Sequence, residues 1–311
     1  MFGLNLSLRQ SLALIIMSVV VSASYAASPF LLPEQFDVDA RTNSISVQSG
    51  IAGDSFYASN RNFKTEFTVT APDGTTKSVL AAVELKKFSL LETDVSQSGT
   101  YAIQTANTAL LPTRYALIDG QWLRVMQPRP MAGMKAEPKK EEAKKDEKEG
   151  AAKPEGAKAE PAKAPTSILE SKLPADAQIM VSNTLNQAVT YVTKGAPSPI
   201  AGFADKGFEV RPITHPSEAY VTDGFVIEAR MDGKPVSGLT FNVLRGASQY
   251  DKDSKRERPD VVTDAQGRAK VSFDQTGVYL LSTAYPIMNR DRTLPPPAQV
   301  VNYGLTIEVA P

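Results

Sequence analysis

The sequence predicts an all-β protein built from two immunoglobulin-like antiparallel β-sandwich modules, with a disordered charged insertion in the first. Three observations carry this. Apolar and polar side chains alternate strictly with a period of two near the C-terminus, turn signals recur about every eight to twelve residues, and one charged stretch lacks any aromatic or β-branched residue.

The alternation is clearest at the end of the chain. Val301, Tyr303, Leu305, Ile307 and Val309 alternate with Asn302, Gly304, Thr306 and Glu308, so one face is expected to be buried and the other wet. The same rule places Phe225, Ile227, Ala229 and Met231 inward against Glu228 and Arg230, and Ala269, Val271 and Phe273 inward against Arg268, Lys270 and Ser272. Asp232-Gly233-Lys234-Pro235, Asp264-Ala265-Gln266-Gly267 and Asp274-Gln275-Thr276-Gly277 punctuate these runs as turns. No run in this half has the 3.6-residue period of a helix.

The N-terminal half follows the same grammar. Ile45 and Val47, Phe67 and Val69, Tyr101 and Ile103, and Tyr115 and Leu117 are the expected inward pairs. Asp119-Gly120 predicts a two-residue hairpin joining 115–118 to 121–125. Ile179 and Val181, then Val189 and Tyr191, resume the strand pattern beyond the charged stretch. An internal echo ties the halves together. Gly99-Thr100-Tyr101 and Gly277-Val278-Tyr279 each follow a polar turn, as at an immunoglobulin-type tyrosine corner, and point to two modules of related architecture.

Between these halves, Met131 to Ala164 contains nine lysines, eight acidic residues and no aromatic or β-branched residue. Such a segment cannot bury enough apolar surface to offset its ordering entropy, and is expected to be a disordered spacer. The expected organisation is a signal peptide over 1–26, an N-terminal module over 27–200 with its insertion at 129–166, and a C-terminal module over 205–311. The signal peptide rests on Arg9, the apolar run Ser11–Val21 and small residues ahead of a cut after Ala26. That run is too short to span a bilayer, which takes roughly 20 residues, so the mature chain is expected to be soluble and periplasmic, with no membrane span.

Composition narrows the function. There is no cysteine, which removes disulfides, thiol catalysis, thiolate ligands and a lipid-modified cysteine. Basic and acidic residues balance at 34 each, leaving no global field for nucleic acid or an anionic membrane. The sequence holds no His-Glu-x-x-His, no phosphate-binding glycine loop, no Gly-x-Ser-x-Gly elbow and no calcium loop. No enzyme, cofactor or metal centre is therefore expected. His215, the only histidine, is the candidate binding residue, although it reads first as a linker or strand-edge residue. The mixed charges Asp251–Arg258 read as a solvated loop, and prolines 295 to 297 as an extended one.

Several motifs resemble the exported family called domain of unknown function 4198. They are Pro29-Phe30-Leu31-Leu32-Pro33, Thr214-His215-Pro216, Asp232-Gly233-Lys234-Pro235, Thr263-Asp264 to Gly267-Arg268, and Gly277-Val278-Tyr279. The resemblance implies a transthyretin-like or carboxypeptidase-regulatory second module and a periplasmic role in cobalt or nickel uptake. The family often has a histidine just before the Pro-aromatic-Leu-Leu-Pro segment; here Ala27-Ser28 stands instead. The expected function is a periplasmic, non-enzymatic binding or accessory protein, linked to uptake of a metal or its chelate and partnered by an envelope transporter or outer-membrane receptor. The alternative is an interaction module contacting another envelope protein.

Overall fold

The computed structural model describes residues 28–52, 59–62, 65–106, 112–127, 165–246, 257–287 and 291–311. It forms the expected all-β sandwiches; besides strands, the described residues hold two short 3-10 turns, Glu170–Lys172 and Pro216–Glu218. The expected signal peptide, the stretch Met131–Ala164 and most of the loop Asp251–Arg258 lie outside the described residues.

Three sheets build the molecule, and the middle one is shared. Its main path runs through Ser167–Leu169, Gln121–Met126, Thr113–Ile118, Ile179–Lys194, Gln299–Val309, Gly277–Tyr285, Thr240–Arg245 and Glu257–Val262. Gly99–Thr105 joins it beside residues 191–194, bringing Phe67–Thr70 and Thr76–Val79 with it. A second sheet, built on Ser28–Pro33, Ser44–Ala52 and Phe88–Asp94, covers one face; a third, built on Phe208–Pro212, Phe225–Met231 and Arg268–Val271, covers the other.

The long strand Ile179–Lys194 explains this arrangement. Most strand pairs are antiparallel, apart from short parallel pairings of 124–126 with 167–169 and of 193–194 with 37–38, but residues 183–190 pair in parallel over eight residues with 299–306, more than a hundred residues away. Successive side chains of a strand point to opposite faces. Ala188 and Val192 therefore enter one core, with Leu31, Ile45, Val47, Phe67, Leu91, Tyr101 and Ile103. Val189 and Tyr191 enter the other, with Phe225, Ile227, Phe241, Tyr279, Leu305 and Ile307. Polar bonds fix the seam: Asn302 Nδ2 donates to Asn186 Oδ1 at 3.0 Å, and Thr190 Oγ1 to the Thr306 carbonyl at 3.1 Å.

Four local expectations change. The even-numbered face of Gln299–Val309 is wet only at its end: Glu308 is exposed as expected, but Gly304 and Thr306 are buried, because Ser28–Pro33 crosses there. An ideal Cβ on Gly304 would lie 1.9 Å from the Pro29 carbonyl oxygen, so only glycine lets the two backbones approach. Phe30 fills the adjoining space against Leu244 and Leu280. Glu228, expected on the solvated face, is 3 % exposed. In the hairpin strand Thr113–Ile118 the buried residue is Ala116, while Tyr115 and Leu117 are half-buried. Ile179 and Val181 are exposed, lying where neither covering sheet reaches the long strand. The Asp119-Gly120 hairpin forms as expected, with φ of 49° and 74° and Ile118 opposite Gln121.

Both tyrosine corners close. Tyr101 Oη donates to the Gln97 carbonyl at 3.1 Å, and Tyr279 Oη to the Gln275 carbonyl at 2.7 Å. Each tyrosine thus bonds four residues upstream across the same Gln-x-Gly-x-Tyr spacing, and the two sandwiches carry the same corner.

Candidate functional site

The segment Gly195–Lys206 leaves the long strand and crosses to Phe208–Pro212 as an irregular strap with three prolines or glycines among its first five residues. It is pinned at both ends. At one end the His215 ring sits between strap and first sandwich: Nε2 lies 3.0 Å from the Ser198 carbonyl and 3.2 Å from Thr100 Oγ1. Its Nδ1 accepts from the Ser217 backbone N–H at 3.2 Å, which assigns the proton to Nε2 and lets that nitrogen donate to Ser198. His215 also caps the turn Pro216–Glu218. At the other end the Arg230 guanidinium lies 4.0 Å from the centre of the Phe203 ring and bonds Asp205 at 3.3 Å. Arg230 and Arg268 both hold the buried Glu228 carboxylate, at 2.7 and 2.9 Å.

Beneath the strap, where the two sandwiches meet, lies a polar cleft of about 310 Å³. Gln104 of the first sandwich, Gln187 and Tyr191 of the long strand, and Gln299 of the last strand face Glu209 and Arg211 across it. Glu209 and Arg211 alternate with the core residues Phe208 and Val210, which turns them toward the strap. Glu209 Oε1 accepts from the Ala204 N–H of the strap at 2.9 Å and lies 3.6 Å from Arg211 Nη2. Its second oxygen, Oε2, is buried and has no hydrogen-bond partner. Tyr191 is 3 % exposed, and its Oη also lacks a partner at hydrogen-bonding geometry. Burial pushes the Tyr191 hydroxyl pKa up, opposed by the Arg211 charge and by the approach of Arg211 as a donor to the hydroxyl oxygen, so it stays a neutral hydroxyl at pH 7 whose own proton has no acceptor. Leaving such groups unsatisfied costs about 1–3 kcal/mol each.

Arg211, Tyr191 and Gln104 also line an adjoining space of about 410 Å³ under Pro199, Ile200 and Ala201. On the far side of Tyr191 a separate cleft of similar size carries Asp37, Glu218 and Glu308. Burial, then the Asp37 charge, raise the Glu308 carboxyl pKa. His215 lines none of these spaces; both its ring nitrogens are engaged in holding the strap and its own turn. Sequence reasoning marked Tyr191 as an inward residue but not Glu209 or Arg211. Their signal was faint: two opposite charges on alternate positions of the first strand after the linker. Among the described residues no three His, Cys, Asp or Glu side chains form a metal-binding group, and no helix is long and apolar enough to cross a membrane.

The fold and cleft define a two-sandwich β protein with a covered polar cavity at the join. The chain belongs to the family described as "Domain of unknown function (DUF4198)", whose match spans residues 24–286. No curated protein matches it. Among solved structures it is similar to the D0-D1 domain of intimin, at 8% identity over 92% of this chain and 100% of that one, with a TM-score of 0.21. It is also similar to Salmonella alpha-2-macroglobulin reacted with methylamine, at 8% identity, 91% of this chain, 15% of that one and a TM-score of 0.22. A tetra-tandem repeat in the extending region of a large adhesion protein shares 10% identity over 92% of this chain and 50% of that one, with a TM-score of 0.20.

Proposed function

We propose that the chain is an exported, non-enzymatic binding protein of the bacterial periplasm that holds a small polar ligand in the cleft beneath the strap. The observation behind it is Tyr191, a buried hydroxyl whose proton has no acceptor, at the inner wall of a polar cavity to which both sandwiches contribute. Buried polar groups are normally satisfied, and those that are not point to a ligand or water. Export rests on the charged start, short apolar run and small-residue cut site of residues 1–26. Protein taken from the periplasmic fraction without dialysis should begin at Ala27 and show a small-molecule adduct in native mass spectrometry. The adduct should be lost when Tyr191→Phe and Arg211→Gln are combined. Bare wild-type protein, or an adduct the double variant keeps, contradicts the cleft as the binding site.

Among the described residues, uptake of a free metal has no donor set behind it: no three His, Cys, Asp or Glu side chains group together, and His215 spends both ring nitrogens on the strap and its turn. A metal chelate would enter this cleft by its organic part, and an envelope transporter or outer-membrane receptor would be the partner that delivers or receives it. The interaction-module reading has its own support. Glu257–Val262 is the last strand on the main path of the shared sheet and carries Val262 at 56 % exposure, an edge to which another chain's strand could add.

A further inference from the structure

Within that cleft reading, we infer that the ligand is a small zwitterion of the α-amino-acid type, its carboxylate on Arg211 and Tyr191 and its ammonium on Glu209. The two covered charges of the cavity, Glu209 and Arg211, point to this, while the third charged lining residue, Lys206, is exposed at its edge. Arg211 presents a forked set of N–H donors whose nearest anion, Glu209 Oε1, stands at 3.6 Å, beyond hydrogen-bonding distance. A carboxylate placed there also meets the Tyr191 hydroxyl, a neutral donor lacking an acceptor. Glu209 Oε2 lacks the opposite thing, a donor, on a side chain only 11 % exposed. An ammonium supplies three donors, and its charge compensates a carboxylate that is otherwise costly to bury.

Other ligand chemistries fit less well. A plain anion, though it would meet Arg211 and the exposed Lys206, would lie against Glu209 and leave its Oε2 without a donor, and a plain cation would lie against Arg211. A sugar would want an aromatic face to lie on, but Tyr191, Phe208 and Tyr303 in this wall are packed into the core at 3 %, 7 % and 1 % exposure. The 3.6 Å between Glu209 and Arg211 suits two charges borne by one carbon rather than by the distant ends of a peptide. A cavity of about 310 Å³ is at the small end of ligand sites, as a single amino acid requires. Gln104 and Gln299 remain for its side chain.

The test is calorimetric titration of the mature full-length protein with the common α-amino acids, one at a time. At least one should bind saturably, and its N-acetyl form and its methyl ester should each bind about 100-fold more weakly, as loss of one partner of a charged pair requires. Glu209→Gln should close the gap between the free and N-acetylated forms, and Arg211→Gln the gap between the free acid and the ester. Tyr191→Phe, nearly isosteric, should weaken the free acid about tenfold while leaving the circular dichroism spectrum unchanged. Blocked forms that bind as tightly as the free acid overturn the zwitterion assignment. So does the absence of amino-acid binding in a protein that still carries an adduct abolished by the double variant, and in that case the cleft stands. Amino-acid binding that is equal in all three variants places the ligand elsewhere and overturns both.

Discussion

Glu228 shows what a single residue does beyond its place in a pattern. Burial alone raises its carboxyl pKa, yet hydrogen bonds and charge from Arg230 and Arg268 more than reverse this, and the folded value falls below the usual 4.5. A carboxyl lowered on folding contributes stability above its unfolded pKa and loses it as pH falls through the folded value. Glu228→Gln should therefore cost about 1–3 kcal/mol at pH 7. Its stability should also fall less than the wild type's as the pH drops below about 4.5, measurable by urea unfolding across pH. Equal stability of the two proteins at pH 7 would mean that the carboxylate is not held as described. Alternation in the sequence put Glu228 on the wet face. What covers it is two arginines, one of which also grips Phe203 and Asp205 of the strap, and no local pattern encodes that.

At the scale of the element, the first strand and the last strand share one close crossing. Phe30 and Leu31 are fully buried, each contributing about 1.5–3 kcal/mol, and they sit where they do because Gly304 has no side chain. Gly304→Ala would drive a methyl into the Pro29 carbonyl; we expect a loss of at least about 3 kcal/mol. Faster amide exchange should be confined to residues 28–33 and the strand beneath them. Exchange unchanged in 28–33 would contradict the crossing. The period-two pattern of Val301 to Val309 gave the strand and its core face correctly, and the Asp119-Gly120 turn and both tyrosine corners were equally legible, because each is set within a few residues. The burial of Gly304 and Thr306, and the exposure of Ile179 and Val181, were not. They depend on which sheet arrives overhead, a long-range outcome that alternation does not record.

Across the whole molecule the long strand Ile179–Lys194 joins what would otherwise be two sandwiches. Its parallel pairing with Gln299–Val309 places Gln104, Tyr191, Glu209, Arg211 and Gln299 around one cavity, although they come from four strands spread over nearly two hundred residues. For this reason the candidate site was scarcely visible in the sequence, where His215 drew attention by being unique. Its observed contacts hold the strap over the cavity from outside. Val189 and Val192, three positions apart on one strand, belong to different cores, so neither core can lose this strand without the other. The most direct measurement is differential scanning calorimetry of the mature protein with Val189→Ala and Val192→Ala, each costing about 2 kcal/mol through lost burial and a small cavity. A shared strand predicts a single transition whose calorimetric and van't Hoff enthalpies agree, moved down by either substitution. Two separate transitions, with each substitution shifting only its own, would contradict the shared sheet.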